Sequence, residues 1–275
     1  ELFAGYNRYQ LTAQLWRKLA WMPAPLRSAA ASAIKAVPPS AWTGAAAWLP
    51  GVKHHPALAG LGDKLHKGAG VMASRSVDEL YVGLVSQIQT PTTWIKGEEG
   101  ESGAPVVVPP TKLTGNRPAL DGLNDVERMM ALDAVSYLPD DILCKVDRAG
   151  MGISLEGRVP FIDHRVFEFA WSLPLDYKLR AGQTKWPLRQ VLYRHVPKEL
   201  IERPKMGFGI PLHDWLRGPL KAWVEVLLDS DRLEREGYFY SAPIRAMWSE
   251  HLSGKRNWAH HLWSVLMFQV WLEQQ

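Results

Sequence analysis

The stretch that decides the fold runs from Tyr137 to Asp163 and reads YLPDDILCKVDRAGMGISLEGRVPFID. Its first half carries apolar residues at helical spacing, and Asp140 stands where an aspartate commonly caps a helix. Asp141 and Lys145 lie four residues apart, which places both on one solvated helical face. Asp163 is the predicted cap of the next helix. No run of alternating residues typical of β-strands occurs here or elsewhere, so the sequence predicts a mainly α fold.

Charged residues interrupt the second half of this stretch. Glu156 and Arg158 fall within an apolar run, Ile153–Ile162, that the pattern predicts to be mostly buried. Because buried charges must be paired or bound by a ligand, two interpretations stay open. The pair braces two helices, or the carboxylate orients or deprotonates an amine nucleophile near an anionic intermediate. Asp147, a carboxylate with apolar neighbours, is expected to be either paired or functional.

A second cluster lies further along the chain, at Arg203–Gly209, which reads RPKMGFG. Backbone amides of a glycine-rich turn and a fixed lysine such as Lys205 can hold phosphate oxygens. A turn with two solvated cations explains the same residues, and the spacing alone favours that simpler interpretation.

The remaining sequence indicates short helices. Six prolines break residues 21–62, and glycine, proline and charge make 96–118 a predicted mobile surface loop. Further helix starts are predicted at the capping-box pairs Ser76/Glu79 and Asn124/Glu127, at Thr184 and at Asn257.

Composition excludes several classes of protein. The chain has 275 residues, of which 47% are hydrophobic and 22% charged, so it is neither disordered nor fibrous. A lone cysteine, Cys144, excludes an internal disulfide and is compatible with a reducing compartment, so we expect a cytoplasmic protein. No apolar run of about 18 residues and no leader is present, so no membrane span or signal peptide is expected. The formal charge of +4 suits phosphate-bearing ligands but is too weak to indicate nucleic acid.

Three segments of the sequence resemble segments of one protein family. They are LPDDILCKVDRAGMGISLEGRVPFIDH at 138–164, RPKMGFGIP at 203–211, and ELFAGYNRY at 1–9. Together they resemble the C-terminal part of the glutamine-hydrolysing asparagine synthetase family. The resemblance is strong over 137–217, and the rest of the chain carries few motifs.

The resemblance implies a fold and an activity. The fold is the helical C-terminal portion of an α/β synthetase domain of the adenine-nucleotide α-hydrolase-like (ATP-pyrophosphatase) type, with its parallel sheet mostly missing here. The activity is that of an ATP-dependent amidotransferase, a carbon–nitrogen ligase. ATP and Mg²⁺ activate a carboxylic acid, L-aspartate by default, as an acyl-adenylate. Ammonia from a glutaminase domain absent here then displaces AMP.

Matching the motifs also implies roles for residues. Lys205 resembles the family lysine that contacts the phosphates, and Glu156 is the acid of the S-x-E-x-R-x-P-F motif, which handles the incoming amine. These two are therefore the implied catalytic residues. The residues implied to bind substrate or ATP are Asp147, Arg148, Arg158, Asp163 and Glu1. No metal ligand is assigned.

Some family features are not found. The S-G-G-x-D-S pyrophosphate-binding loop and the nucleophilic cysteine are missing, Ala4 stands where the family often has glycine, and Gly150 stands where serine is common. We therefore expect residues 1–275 to be a fragment of the synthetase domain. A variable helical region spans 1–120 and a motif-bearing one spans 121–275. By itself this fragment is expected neither to bind ATP well nor to catalyse a reaction, and a homodimer is left open.

Other functions remain open at this point. A paralogue that amidates a sugar acid for polysaccharide assembly, or a β-lactam-forming cyclase, would share these motifs. A helical interaction module that kept the scaffold and lost catalysis would belong to another class. A nucleic-acid binder is the least favoured alternative, because the basic stretch 2–62 matches no recognised binding motif.

Overall fold

The computed structural model describes residues 1–47, 61–88, 91–97, 111–115, 119–202 and 209–275. Within these ranges the chain is mainly helical, and its sheet consists of two short strands. The mainly α expectation is therefore confirmed. No helix in the described ranges has both the length and the apolar character needed to cross a membrane.

The described helices are short. In chain order they are α1 (Asn7–Leu19), α2 (Ala24–Ala36), α3 (Pro39–Ala47), α4 (Leu61–Val71), α5 (Val77–Val85), α6 (Asp125–Val135), α7 (Cys144–Met151), α8 (His164–Ser172), α9 (Leu175–Lys178), α10 (Trp186–Leu192), α11 (Lys198–Ile201), α12 (Leu212–Arg217), α13 (Lys221–Leu227), α14 (Ser230–Glu236), α15 (Ser241–Leu252) and α16 (Ala259–Leu272). A π-helical segment, Leu138–Leu143, runs directly into α7, and 3₁₀ turns occupy Pro91–Thr93 and Pro160–Ile162.

The chain forms two compact units, each assembled from three separate stretches. The first unit comprises Glu1–Met22, Ser74–Val82 and Pro110–Gly207, and the second comprises Pro23–Ala73, Gly83–Pro109 and Phe208–Gln275. The predicted site residues that the structure describes all belong to the first unit. The sequence-based division at residue 120 stays a prediction.

Several predicted helix starts are confirmed. Asn124 forms a full capping box with Glu127: the Glu127 N–H donates to Asn124 Oδ1 at 3.1 Å, and the Asn124 N–H donates to Glu127 Oε2 at 3.1 Å. Asp163 caps α8 by accepting the Arg165 N–H at 2.9 Å. Ser76 accepts the Glu79 N–H at 3.1 Å where α5 begins. These caps depend only on neighbours in sequence, which is why the pattern identifies them.

Two predicted helix starts were wrong, and a third was displaced by one residue. Asn257 accepts the Ala259 N–H at 3.0 Å, but the N-cap of α16 is Trp258. Asp140 lies inside the π-helical segment and therefore caps no helix. Pro139, just before it, already belongs to the first turn of that segment, where the missing N–H of a proline is tolerated. The N-cap of α10 is Lys185, with φ of 57°, one residue beyond the predicted Thr184.

The proline-rich stretch forms the predicted short helices α2, α3 and α4. His66 of α4 lies with Nε2 2.8 Å from the Val37 carbonyl oxygen, which ties α4 to the end of α2. Most of the predicted loop at 96–118 lies outside the described residues. In the second unit, α12 to α16 enclose a continuous apolar core centred on Trp248, Leu262 and Leu266, each at most 1% exposed.

A small hairpin in the first unit escaped the sequence analysis. Leu179 pairs with Thr184 and Arg180 with Gln183 in two antiparallel strands, β1 (Leu179–Arg180) and β2 (Gln183–Thr184). The two loop residues, Ala181 and Gly182, have φ of 49° and 78°. Positive φ at both positions of a two-residue loop is typical of a type I′ turn. Strands of two residues are too short to show alternation, so the pattern could not reveal them.

This turn supports a stability prediction. Asparagine tolerates the left-handed region better than alanine, so Ala181→Asn is expected to raise the free energy of unfolding by about 0.5 kcal/mol. The same change at exposed Ala246, inside α15, is expected to lower it by about 0.6 kcal/mol because asparagine is a poorer helix former. Urea unfolding followed by circular dichroism measures both, and shifts of the same sign would contradict the turn assignment.

Candidate functional site

The start of the chain packs against the turn at Pro160–Ile162. Leu2, Phe3 and Ala4 are buried, and the Phe3 carbonyl accepts the Lys185 N–H at 3.0 Å. The Phe3 and Phe161 rings meet edge to face with centroids 6.2 Å apart. Two of the three segments that carry the resemblance are therefore neighbours in space.

Glu1 is held by an aromatic neighbour. Its Oε1 accepts the Tyr6 hydroxyl at 3.1 Å, and burial raises the pKa of Tyr6 above its usual value, with Glu1 adding to the shift. Tyr6 therefore remains a donor at neutral pH. The Arg8 guanidinium lies over the Tyr6 ring at 4.3 Å and over the Tyr137 ring at 4.6 Å.

Below this aromatic layer lies a buried carboxylate, Asp133 of α6, which is 1% exposed. Its oxygens accept hydrogen bonds from Arg8 Nη2 at 2.5 Å, Tyr9 OH at 2.5 Å and Tyr81 OH at 2.6 Å. Burial raises the pKa of Tyr9 and Tyr81, and the Asp133 charge raises them further, so both hydroxyls stay protonated. One carboxylate thus joins α1, α5 and α6 and fixes the position of Arg8.

This cluster was not predicted from the sequence, although the sequence contains a signal for it. Val126, Met129, Met130 and Asp133 follow the spacing of the buried face of α6, so Asp133 occupies a core position. A carboxylate at a core position must find donors. The donors themselves could not be identified, because Tyr9 and Tyr81 lie 124 and 52 residues away.

The turn that follows α7 is tight. The Leu155 N–H donates to the Gly150 carbonyl at 2.9 Å, and a Cβ at Gly150 would lie 2.5 Å from the Leu155 carbonyl oxygen. Ser154 has φ of 61°, a left-handed conformation that costs a non-glycine residue free energy. Such local strain is common where a loop positions functional groups, and here it precedes Glu156 by two residues.

Glu156 and Arg158 form an ion pair on the surface. Arg158 Nη2 lies 2.9 Å from Glu156 Oε1, and the side chains of Glu156 and Arg158 are 65% and 84% exposed. The expectation that Ile153–Ile162 is mostly buried was wrong: Ile153 is 76% exposed and Leu155 63%. The tight turn directs these side chains outward, so in this chain the ion pair is solvated. An apolar run shows that a segment is suited to burial, but it does not show which segment covers it.

The other predicted site residues lie nearby in sequence. Asp147 and Arg148 are exposed on α7, beside the predicted ion pair of Lys145 Nζ with Asp141 Oδ1 at 2.9 Å. Asp163 serves as the cap of α8, and hydrogen bonds from Arg165 lower the pKa of Asp163 to about 2. Lys205 lies outside the described residues, as does most of its glycine-rich cluster.

No group of three or more His, Cys, Asp or Glu side chains suited to a metal ion occurs among the residues that the structure describes.

Comparison with known proteins identifies the family. The family model described as asparagine synthase matches residues 1–273, which is nearly the whole chain. The chain belongs to the asparagine synthetase family. No solved structure matches significantly.

Curated asparagine synthetases are similar over part of this chain. "Asparagine synthetase [glutamine-hydrolyzing] 1" of Bacillus subtilis is 31% identical over 148 residues, which cover 54% of this chain and 23% of that protein. The "Putative asparagine synthetase [glutamine-hydrolyzing]" of Mycobacterium tuberculosis is 38% identical over 152 residues, with the same coverage. The mouse asparagine synthetase is 31% identical over 143 residues, or 45% of this chain and 24% of its own length. The chain thus spans about a quarter of the length of each relative.

The structure also bears on two positions where this chain departs from the family motif. Ala4, at the position where the family often has glycine, has φ of 49°, which glycine adopts more easily. Gly150, where serine is common, leaves no room for a Cβ without a shift of the Leu155 carbonyl. The turn before Glu156 is therefore adapted to glycine at residue 150 in this chain.

Proposed function

We propose that the full-length protein containing this chain is an ATP-dependent amidotransferase that converts a carboxylic acid into its amide. The observation that carries this proposal is the asparagine synthase family match over residues 1–273. In the proposed reaction ATP activates the carboxylate as an acyl-adenylate with release of pyrophosphate. Ammonia derived from glutamine then attacks the acyl carbon and AMP leaves.

Glu156 is suited to handle the amine. Its exposed carboxylate follows a strained turn, and an oriented carboxylate can accept a proton from an attacking amine. Arg158 Nη2 lies 2.9 Å from this carboxylate and is exposed enough to bind an anion as well. Glu156 is proposed as the catalytic acid–base group of this chain.

The other proposed roles rest on the motifs. Lys205 is proposed to stabilise charge on the phosphates, and Arg148 offers an exposed cation on α7. Asp147, Asp163 and Glu1 are proposed to contribute to substrate or ATP binding, Asp163 by positioning α8. Mg²⁺ is part of the proposal through family membership, and the described residues present no cluster of three or more protein ligands for it.

L-Aspartate is the proposed acceptor because the relatives are named asparagine synthetases. A sugar acid, or an internal amine as in a β-lactam-forming cyclase, is the alternative within the same chemistry. The glutaminase activity and the pyrophosphate-binding loop are proposed to reside in other parts of the full-length protein. A cytoplasmic location is part of this proposal, and a homodimer stays open.

The decisive experiment measures ammonia-dependent AMP formation by the full-length protein across a panel of carboxylic acids. We expect AMP release that requires both ATP and ammonia, with L-aspartate as the best acceptor. If another acid is the best acceptor, the proposed amidotransferase activity is retained and the proposed substrate is wrong. No AMP with any acid would contradict the proposal and favour a non-catalytic helical module.

A further inference from the structure

The second unit contains a cavity that the proposed amidation does not use. Its volume is about 710 Å³, within the range of small-molecule sites, and all its lining residues belong to the second unit. Lys35 of α2, Lys67 of α4 and Arg256, just before α16, converge on it. Three distant parts of the chain thus bring permanent cations to one space.

The cavity carries more cations than carboxylates. Asp63 is the only carboxylate among the lining residues, and its charge acts on Arg256. None of the three cations forms a salt bridge with a described residue. Three cations against one carboxylate leave a net positive charge, so a bound anion would stabilise the arrangement.

Arg256 is oriented for such a ligand. Its guanidinium carbon lies 3.8 Å from the centroid of the Trp258 ring, which covers one face. The Trp258 indole is fixed in turn by donating Nε1–H to Glu250 Oε2 at 2.8 Å. Stacking leaves the edge of a guanidinium free to donate, and that edge matches the oxygens of a phosphate group. Burial lowers the pKa of Arg256, and the charges of Asp63 and Glu250 act in the opposite direction.

Further polar and aromatic groups complete the wall. His260 and His261 line the cavity, and the His261 ring meets Trp258 edge to face at 5.0 Å. Trp94 forms a rigid wall, since it is 5% exposed and stacks on Phe239 with centroids 6.3 Å apart. A preformed wall of this kind reduces the entropy lost when a ligand binds.

We propose that this cavity binds a small phosphate-bearing anion, with Arg256, Lys35 and Lys67 as its cationic ligands. The class is a phosphate ester or a diphosphate of a small molecule. Nucleic acid is too wide for a site of this volume. The proposal does not depend on the amidation chemistry, because none of the residues proposed for that chemistry lines the cavity.

Isothermal titration calorimetry tests the proposal by adding inorganic pyrophosphate to residues 1–275. The salt concentration is about 0.15 M, which screens weak attraction to the protein surface. We expect saturable binding at one site, weakened about tenfold or more by Arg256→Met. The matched control is Arg235→Met on α14, which removes the same charge from an exposed position in the same unit and is expected to change affinity less than twofold. Lys67→Met, an exposed change on α4, provides a second variant should Arg256→Met not fold.

The opposite results overturn the proposal. Absence of saturable binding by the folded chain would do so, as would equal weakening by Arg235→Met and Arg256→Met, which indicates diffuse attraction. If Arg256→Met and Lys67→Met both bind pyrophosphate as tightly as the wild type does, the anion binds elsewhere and the proposal is wrong. Citrate binding more tightly than pyrophosphate would overturn the assignment to phosphate.

Discussion

Replacing Glu156 with glutamine in the full-length protein is expected to reduce ammonia-dependent AMP formation by about 10²–10³-fold, the usual loss when a positioned acid–base group is removed. The fold should survive, because an exposed ion pair such as Glu156–Arg158 contributes about 0–1 kcal/mol to stability. Lys205→Ala is expected to cost about the same factor, as other single transition-state contacts do.

Two assays separate the roles of these residues. Exchange of labelled pyrophosphate into ATP reports carboxylate activation alone, whereas AMP formation also requires attack by the amine. Glu156→Gln should lower AMP formation and leave exchange nearly unchanged, whereas Lys205→Ala should lower both. Glu168→Gln on α8 and Lys221→Ala on α13 are matched controls at exposed positions, expected to stay within twofold. Full activity in both Glu156→Gln and Lys205→Ala would show that the site assignment is wrong.

Replacing Asp133 with alanine is expected to lower the free energy of unfolding by about 3–5 kcal/mol, since it leaves the buried partners of a charge cluster without their acceptor. Arg8, Tyr9 and Tyr81 all donate to this carboxylate. Asp133→Asn keeps one acceptor oxygen and should cost less. Urea unfolding followed by circular dichroism measures both changes.

A control and a local probe sharpen this prediction. Asp121→Ala removes an exposed carboxylate before α6 and is expected to change stability by about 0.5 kcal/mol or less. Limited proteolysis should cut Asp133→Ala faster than wild type within α1, because α1 loses its link to α6. A stability within about 1 kcal/mol of wild type would mean that the cluster is not a structural centre.

Features that depend on residues close together in the sequence could be predicted. The caps at Asn124 and Asp163 were predicted because each depends on residues at most three positions away. The family was recognised because its motifs are contiguous. The displaced start at Lys185 shows the limit of such signals, since a left-handed residue that bonds to Phe3 leaves no local pattern.

Long-range features were not predictable in the same way. Asp133 occupies a core position whose donors come from distant segments, and no spacing rule connects them. The exposure of Ile153 and Leu155 depends on what packs over the turn rather than on their own hydrophobicity. The cationic cavity joins Lys35, Lys67 and Arg256, which appear unrelated along the chain.

The interleaving of the two units has a consequence for synthesis on the ribosome. The chain passes from one unit to the other after residues 22, 73, 82, 109 and 207. The opening segment with Arg8 and Tyr9 can therefore form its hydrogen bonds only after Asp133 has been synthesised. Helices α2 and α4 can complete their unit only after the final helices have been synthesised. Neither unit can be completed before its last stretch has emerged, and a nascent chain that stalls earlier would expose both unfinished cores to chaperones and proteases.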